Sequence, residues 1–220
     1  MKTHAIILAA AASCAVAAPV TSQNDEVSFA GAFLDAVVPG SDGIGNSSFE
    51  VSTNAAEGVE IGLKAIERFI GDIPVWAGDR YQAAPGESAP GLATWNYVLV
   101  ADFGSRTVSD FDVQFDVDFD AAAGSTNFVT VDVDLQAALA GSGGASTLGD
   151  SQNLGFNFWS LLGAPAFDPF ANGEYDLALT VFEKGTSNVI ARSDITVVVP
   201  TPGAAGVLAL AGLAAVRRRR

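Results

Sequence analysis

Between residues 110 and 120 the chain alternates without a break, with Phe111, Val113, Phe115, Val117 and Phe119 set against Asp110, Asp112, Gln114, Asp116, Asp118 and Asp120. A period of two is that of an extended strand, and it puts the aromatic and branched residues on one buried face and the carboxylates on the other. Val129, Val131, Val133 and Leu135 alternate with Thr130, Asp132 and Asp134, which predicts the antiparallel partner after a reversal over 121–126. Further strands are predicted at 29–34, 49–53, 94–103 and 153–161, and a closing hairpin pairs 173–183 with 189–199. Residues 59–69 fit both a strand and a helical stripe; Gly58 and Gly62 are poor helix residues and favour the strand. Residues 71–91 and 141–150, rich in small residues, read as loops. Eight or so strands separated by turn signals predict an all-β fold, an antiparallel β-sandwich of Ig-like or jelly-roll topology.

The two ends of the chain differ from this body. Lys2, an apolar stretch over 5–12 and the small-x-small pattern Ala15-Val16-Ala17 predict a signal helix over residues 1–18, cleaved after Ala17 or Ala18. Ala11-Ala12-Ser13-Cys14 offers a second possibility, acylation of Cys14, with Ala11 standing where such a box expects Leu. At the other end Pro200-Thr201-Pro202-Gly203 precedes thirteen small and apolar residues and then Arg217, Arg218, Arg219 and Arg220. Thirteen helical residues rise about 20 Å, short of a bilayer core of roughly 30 Å. An arginine block after such a helix stays on the cytoplasmic side and puts the preceding domain, residues 19–199, outside the inner membrane.

Pro-x-Pro, a short apolar helix and a terminal arginine cluster resemble the PEP-CTERM sorting signal of Gram-negative envelope proteins; Thr201 stands where that motif carries Glu. The resemblance covers residues 200–220 only. It implies transient insertion of the tail in the inner membrane, recognition and removal by an exosortase-type enzyme, and release to the cell envelope or extracellular matrix. The body itself resembles uncharacterised bacterial surface sandwiches through its last hairpin, where Gly173-x-Tyr175-x-Leu177-x-Leu179 leads in. The bland alternative for the tail is a plain membrane anchor, and the shortness of the run favours sorting.

Composition narrows the chemistry. The single Cys, His and Met all fall within residues 1–18, so the body holds no disulfide, thiol nucleophile, Ser-His-Asp triad, imidazole base or Cys/His zinc site. All 25 acidic residues lie in the body, against six of the 11 basic ones. Such a surface repels nucleic acid and anionic lipid, whose recognition depends on cations displacing counterions.

Asp116, Asp118, Asp120, Asp132 and Asp134 are the candidates for calcium, which takes six to eight oxygens. Against it, Ala121 and Asn127 break the EF-hand spacing, and carboxylates on one strand face stand about 7 Å apart. The plainer reading is a solvated acidic face, with no cofactor. Trp76 and Tyr81, in the long loop, are the candidates for stacking on a sugar ring, whereas Trp95 and Trp159 at strand positions read as core. The expectation is an exported non-enzyme with a structural, adhesive or matrix-binding role. The alternatives are a carbohydrate-binding module, with or without calcium to assist it, and a carboxylate-based glycoside hydrolase. Its partners would be the secretion machinery, an exosortase and extracellular polysaccharide.

Overall fold

The computed structural model describes residues 22–24, 49–125, 127–139, 141 and 143–201. The signal peptide with Cys14, Ala17 and Ala18, the strand expected at 29–34, and the tail from Pro202 and Gly203 to Arg217, Arg218, Arg219 and Arg220 lie outside the described residues.

The fold is all-β, two sheets packed on a common core. The first sheet runs in the order β1 (Ser22–Asn24), β2 (Glu50–Asn54), β3 (Val59–Glu67), β9 (Trp95–Asp102) and β12 (Thr147–Gln152), with β4 (Gly71–Asp72) paired on β3. The second runs β11 (Phe128–Asp132), β10 (Phe111–Asp118), β13 (Gly173–Glu183), β14 (Val189–Val199), β6 (Arg80–Gln82) and β5 (Val75–Ala77). A small ribbon of β7 (Glu87–Ala89) and β8 (Leu92–Ala93) flanks them. Two α-helices, α1 (Val133–Leu139) and α2 (Phe158–Leu161), and a 3-10 turn at Val108–Asp110 complete the described elements.

The alternation in 110–120 becomes β10, whose Phe111, Val113, Phe115 and Val117 are buried while Asp112, Gln114 and Asp116 stay part-exposed. The core between the sheets joins Leu63, Tyr97 and Leu99 of the first to Phe115, Leu177 and Val197 of the second. Strands β3 and β9 are buried on both faces, because Phe49, Ile66, Val98 and Val100 form a second cluster on the far side of the first sheet. Ile66, on that far face, is one of the residues that let 59–69 fit a helical stripe as well as the alternation of Val59, Ile61, Leu63 and Ala65. The strand reading holds there, from Val59 to Glu67.

Four expectations are corrected. Residues 71–91 are a chain of short strands, and β6 pairs with β14 in parallel, so the second sheet is mixed where an antiparallel one is expected. Residues 141–150 are not all loop, since β12 begins at Thr147 and pairs with β9 from Thr147↔Asp102 to Gln152↔Tyr97. Residues 153–161 are not a strand but a turn followed by α2. The partner of β10 stops at Asp132, and Val133 and Leu135 belong to α1. The run Leu-Gln-Ala-Ala-Leu is rich in strong helix formers, which outweighs two further steps of alternation, and Gly141 at φ 79° follows the helix.

Candidate functional site

Where the edge strands of the two sheets lie, helices α1 and α2 bridge the gap and leave a cleft of about 340 Å³. Tyr97 and Leu99 of β9 and Leu148 of β12 supply one wall; Phe115 of β10 and Val131 of β11 supply the other. Val133, Gln136 and Ala137 of α1 and Phe158 and Trp159 of α2 close the ends, with Asp150 and Gln152 at the polar margin.

The aromatic lining is interlocked. Tyr97 and Phe115 lie 4.9 Å apart across the two sheets, and Trp159 packs on Phe119 at 5.1 Å and Phe158 at 4.8 Å between ring centroids. Tyr97 and Trp159 are each 2% exposed. Burial first, and then the Asp150 carboxylate, hold the Tyr97 hydroxyl well above its ordinary pKa, so it stays protonated. The buried Trp159 indole N–H lies against that hydroxyl and opposes the rise more weakly than burial and Asp150 drive it. Asp150 accepts from the Ser151 N–H at 2.8 Å and from Gln152 Nε2 at 2.7 Å.

Asn153 sets the position of α2. It is fully buried, and its Nδ2 donates to the carbonyls of Ala93 (3.2 Å) and Trp95 (2.7 Å) and to Asn96 Oδ1 (2.9 Å). Its Oδ1 accepts from the N–H groups of Ala93 (3.1 Å) and Gly155 (2.9 Å). One side chain therefore ties β8 and β9 to the turn that launches α2 and carries Trp159 to the cleft.

The carboxylates expected on one solvated face are dispersed into separate local roles. Asp118 is 1% exposed, since the strand ends there and its oxygens accept from the Asp120 N–H (2.8 Å) and the Ser125 hydroxyl. Asp120 accepts from the Ala122 N–H at 3.0 Å, and Asp116 accepts from the Thr130 hydroxyl across the β10–β11 pair. Asp132 stands exposed opposite Gln114. Asp134 sits on α1, accepting from the Val113 N–H (3.1 Å) and pairing with Lys184 Nζ (2.9 Å). Among the described residues no three acidic, histidine or cysteine groups converge as a metal site.

Lys184 bridges Asp112 (2.8 Å) and Asp134, and its Nζ also donates to the Phe111 carbonyl at 2.7 Å. The ammonium, and next the Gly185 N–H, hold the Asp112 carboxyl below the usual range, while the two carboxylates raise Lys184. A depressed carboxylate stabilises the fold above its unfolded pKa near 4, and that contribution is lost as pH falls through the lowered value. Lys184→Met is therefore expected to cost about 0.2–1 kcal/mol at pH 7, the range for exposed ion pairs. Urea unfolding should show that difference shrinking below pH 4.

The two sugar-platform candidates part company. Trp76 is 60% exposed, with the Arg80 guanidinium 6.0 Å from its ring. Tyr81 is 0% exposed, which corrects the expectation of an open aromatic: β6 pairs with β14 and carries it into the core, where burial raises its hydroxyl far above the ordinary value. The sequence does not single out Tyr97, Phe115 or Trp159 as lining a cleft; alternating aromatics read as core, and the helix-forming run over 135–139 is the one signal that an edge strand gives way to a bridge.

No family model matches the chain, and neither does any curated protein. A solved structure, the PmoD soluble domain from Methylocystis sp. (Rockwell), aligns at 12% identity and a TM-score of 0.32 over 63% of this chain and 90% of that one.

Proposed function

We propose that this chain is an exported, acidic β-sandwich protein that exosortase-type machinery sorts to the cell envelope or extracellular matrix, where it acts by binding rather than by catalysis. One observation supports the address most directly: the Pro-x-Pro motif starts one residue beyond β14, and Thr201 stands in solvent. A processing enzyme can reach that junction without unfolding the domain. In favour of binding, the acids expected on one solvated face mostly serve turns, cross-strand contacts and ion pairs, while the aromatic cleft is preformed. We read the finer topology as an Ig-like or jelly-roll sandwich modified by the parallel β6–β14 pair.

Intact mass spectrometry of the protein recovered from its own cells and medium tests the address. The expected mass lacks residues 1–17 or 1–18 and the piece beyond about Pro200; a tail retained whole in the membrane fraction would replace sorting with plain anchoring.

Carbohydrate binding is the second reading, carried by exposed Trp76 beside Arg80. A glycan array in calcium and in chelator should show a ligand that Trp76→Ala removes if it holds, with dependence on chelator marking a calcium role. Steady hydrolysis of a polysaccharide would overturn the non-enzyme reading in favour of a glycosidase.

A further inference from the structure

The two ends of the sandwich expose different surfaces. Turns 55–58, 104–107 and 184–188 close one end and hold no large apolar residue; Glu57, Arg106 and Lys184 stand there instead. The opposite end carries the β3–β4 turn, where Phe69 is 86% and Ile70 76% exposed. A row of backbone hydrogen bonds runs from that turn across the end. The Arg68 N–H donates to the Thr94 carbonyl (2.7 Å), the Thr94 N–H to that of Gly86 (3.1 Å), and the Gly86 N–H to that of Pro169 (2.9 Å). Phe170, the next residue, is exposed as well. The last strand finishes at this same end: Trp95 pairs with Glu67 and packs on Tyr175, and Tyr175 pairs with Val197, two residues before β14 stops. Apolar tips and the exit of the chain therefore lie together.

The second observation is the backbone at Phe69. The turn from Glu67 to Ile70 is closed by the Ile70 N–H, which donates to the Glu67 carbonyl at 3.1 Å, and Phe69 is its third residue, with φ 66°. Gly or Asn is the usual residue at such a position, and a bulky one is strained there. Packing gives no reason for the choice, since the ring stands outside the core with the Arg68 guanidinium 4.7 Å from its centroid. An aromatic ring beside an arginine on a projecting tip suits a membrane interface, where the ring lies at headgroup level and the cation stays in the polar layer.

What faces this end follows from the sequence that leaves it. Pro200-Thr201-Pro202-Gly203 separate Val199 from the thirteen small and apolar residues of the tail. A link of that length reaches at most about 18 Å, so a bilayer that takes up the apolar run holds this end of the domain against its surface. We infer that this end is a membrane-contact surface: Phe69 and Ile70, flanked by Phe170, enter the headgroup layer of the bilayer in which the tail is inserted. The contact is apolar, and with 25 acidic against six basic residues in the body it suits zwitterionic lipid, anionic lipid being repelled. It would also hold the Pro-x-Pro junction at the membrane surface, where a membrane-embedded processing enzyme works. The inference rests on the proposed membrane stage of the tail, which sorting and plain anchoring share, so it does not depend on cleavage.

The test uses the full chain with Cys14→Ser and one new cysteine carrying a bimane label, reconstituted from detergent into phosphatidylcholine vesicles that contain lipid brominated near the headgroup. A label at Ile70→Cys should be quenched about threefold more than one at Ser187→Cys, in the turn at the other end, and added phosphatidylglycerol should narrow that difference. Phe69→Gly relieves the backbone, so the unfolding temperature should not fall, yet quenching at position 70 should drop by about half. A loss of contact without a loss of stability is the signature of a surface that serves the membrane. Equal quenching at the two positions in a chain that floats with the vesicles, or quenching at position 70 that Phe69→Gly leaves unchanged, would overturn the inference alone. A label at position 70 shielded from aqueous iodide but untouched by brominated lipid would assign this end to the chain's own apolar run or to a second copy, and overturn it too. A chain that does not float would remove the membrane stage itself, and the contact with it.

Discussion

Asn153→Ala is expected to lower the unfolding free energy by about 3 kcal/mol, enough to leave a marginal domain partly unfolded at growth temperature. The side chain is fully buried and makes five hydrogen bonds, of which three serve backbone groups of Ala93 and Trp95. Alanine leaves the Ala93 N–H and the carbonyls without that partner in a site too buried for easy hydration, and each loss costs about 1–3 kcal/mol when unrelieved. The effect should be local as well as global. Hydrogen exchange at Ala93, Asn96 and Gly155 should accelerate more than at the β13–β14 hairpin, which shares no partner with Asn153. Asn153→Asp is the informative companion: it keeps the acceptor bonds to the Ala93 and Gly155 N–H groups, loses the donors and buries a charge. It should be at least as destabilising at pH 7 and milder in acid, where the carboxyl is neutral.

The second large effect belongs to Gly155→Ala, two residues on. A Cβ there would stand 1.9 Å from the Gly91 carbonyl oxygen and 3.1 Å from the Leu92 Cα, both backbone atoms that cannot rotate away. The turn after β12 must therefore move off the β7–β8 ribbon, at a cost of about 3 kcal/mol, the upper range for overpacking. Thermal unfolding of the variant should fall by several degrees, with near-UV signals from Trp159 broadened because α2 loses its seat. Asn153 and Gly155 share a hydrogen bond, so their effects should not add. A double variant whose loss equals the sum of the two would show instead that the turn and its anchor act independently.

How far the sequence carries can be read off these same residues. Alternation locates β10, β13 and β14 almost to the residue, because each has one face in the core and one toward solvent or small residues. It misleads at 133–135 and 153–161, where apolar residues fall at alternate positions yet serve a helix and a turn; period two over three or four residues does not tell these apart. Asn153 looks like any polar residue of a strand, since its importance lies in partners 57 to 60 positions away. Tyr81 reads as a loop aromatic because its three-residue strand pairs in parallel with a segment more than a hundred residues later. The cleft is illegible for the same reason: its walls come from β9, β10, β11 and β12 and its ends from both helices, and no local pattern announces that two edges diverge. The acidic face is legible as composition, but which carboxylates turn inward depends on where β10 ends.

The place of β14 bears on how the protein is made. It comes last among the described strands, yet lies inside its sheet, between β13 and β6, and crosses to β2 and β3, where Ser193 Oγ donates to the Glu50 carbonyl at 2.7 Å. A chain emerging from its N-terminus therefore cannot close the second sheet until nearly everything else is out. Such late, distant pairing makes for slow folding, and it leaves β2, β3 and β6 without this neighbour until the last stretch of the domain has been made.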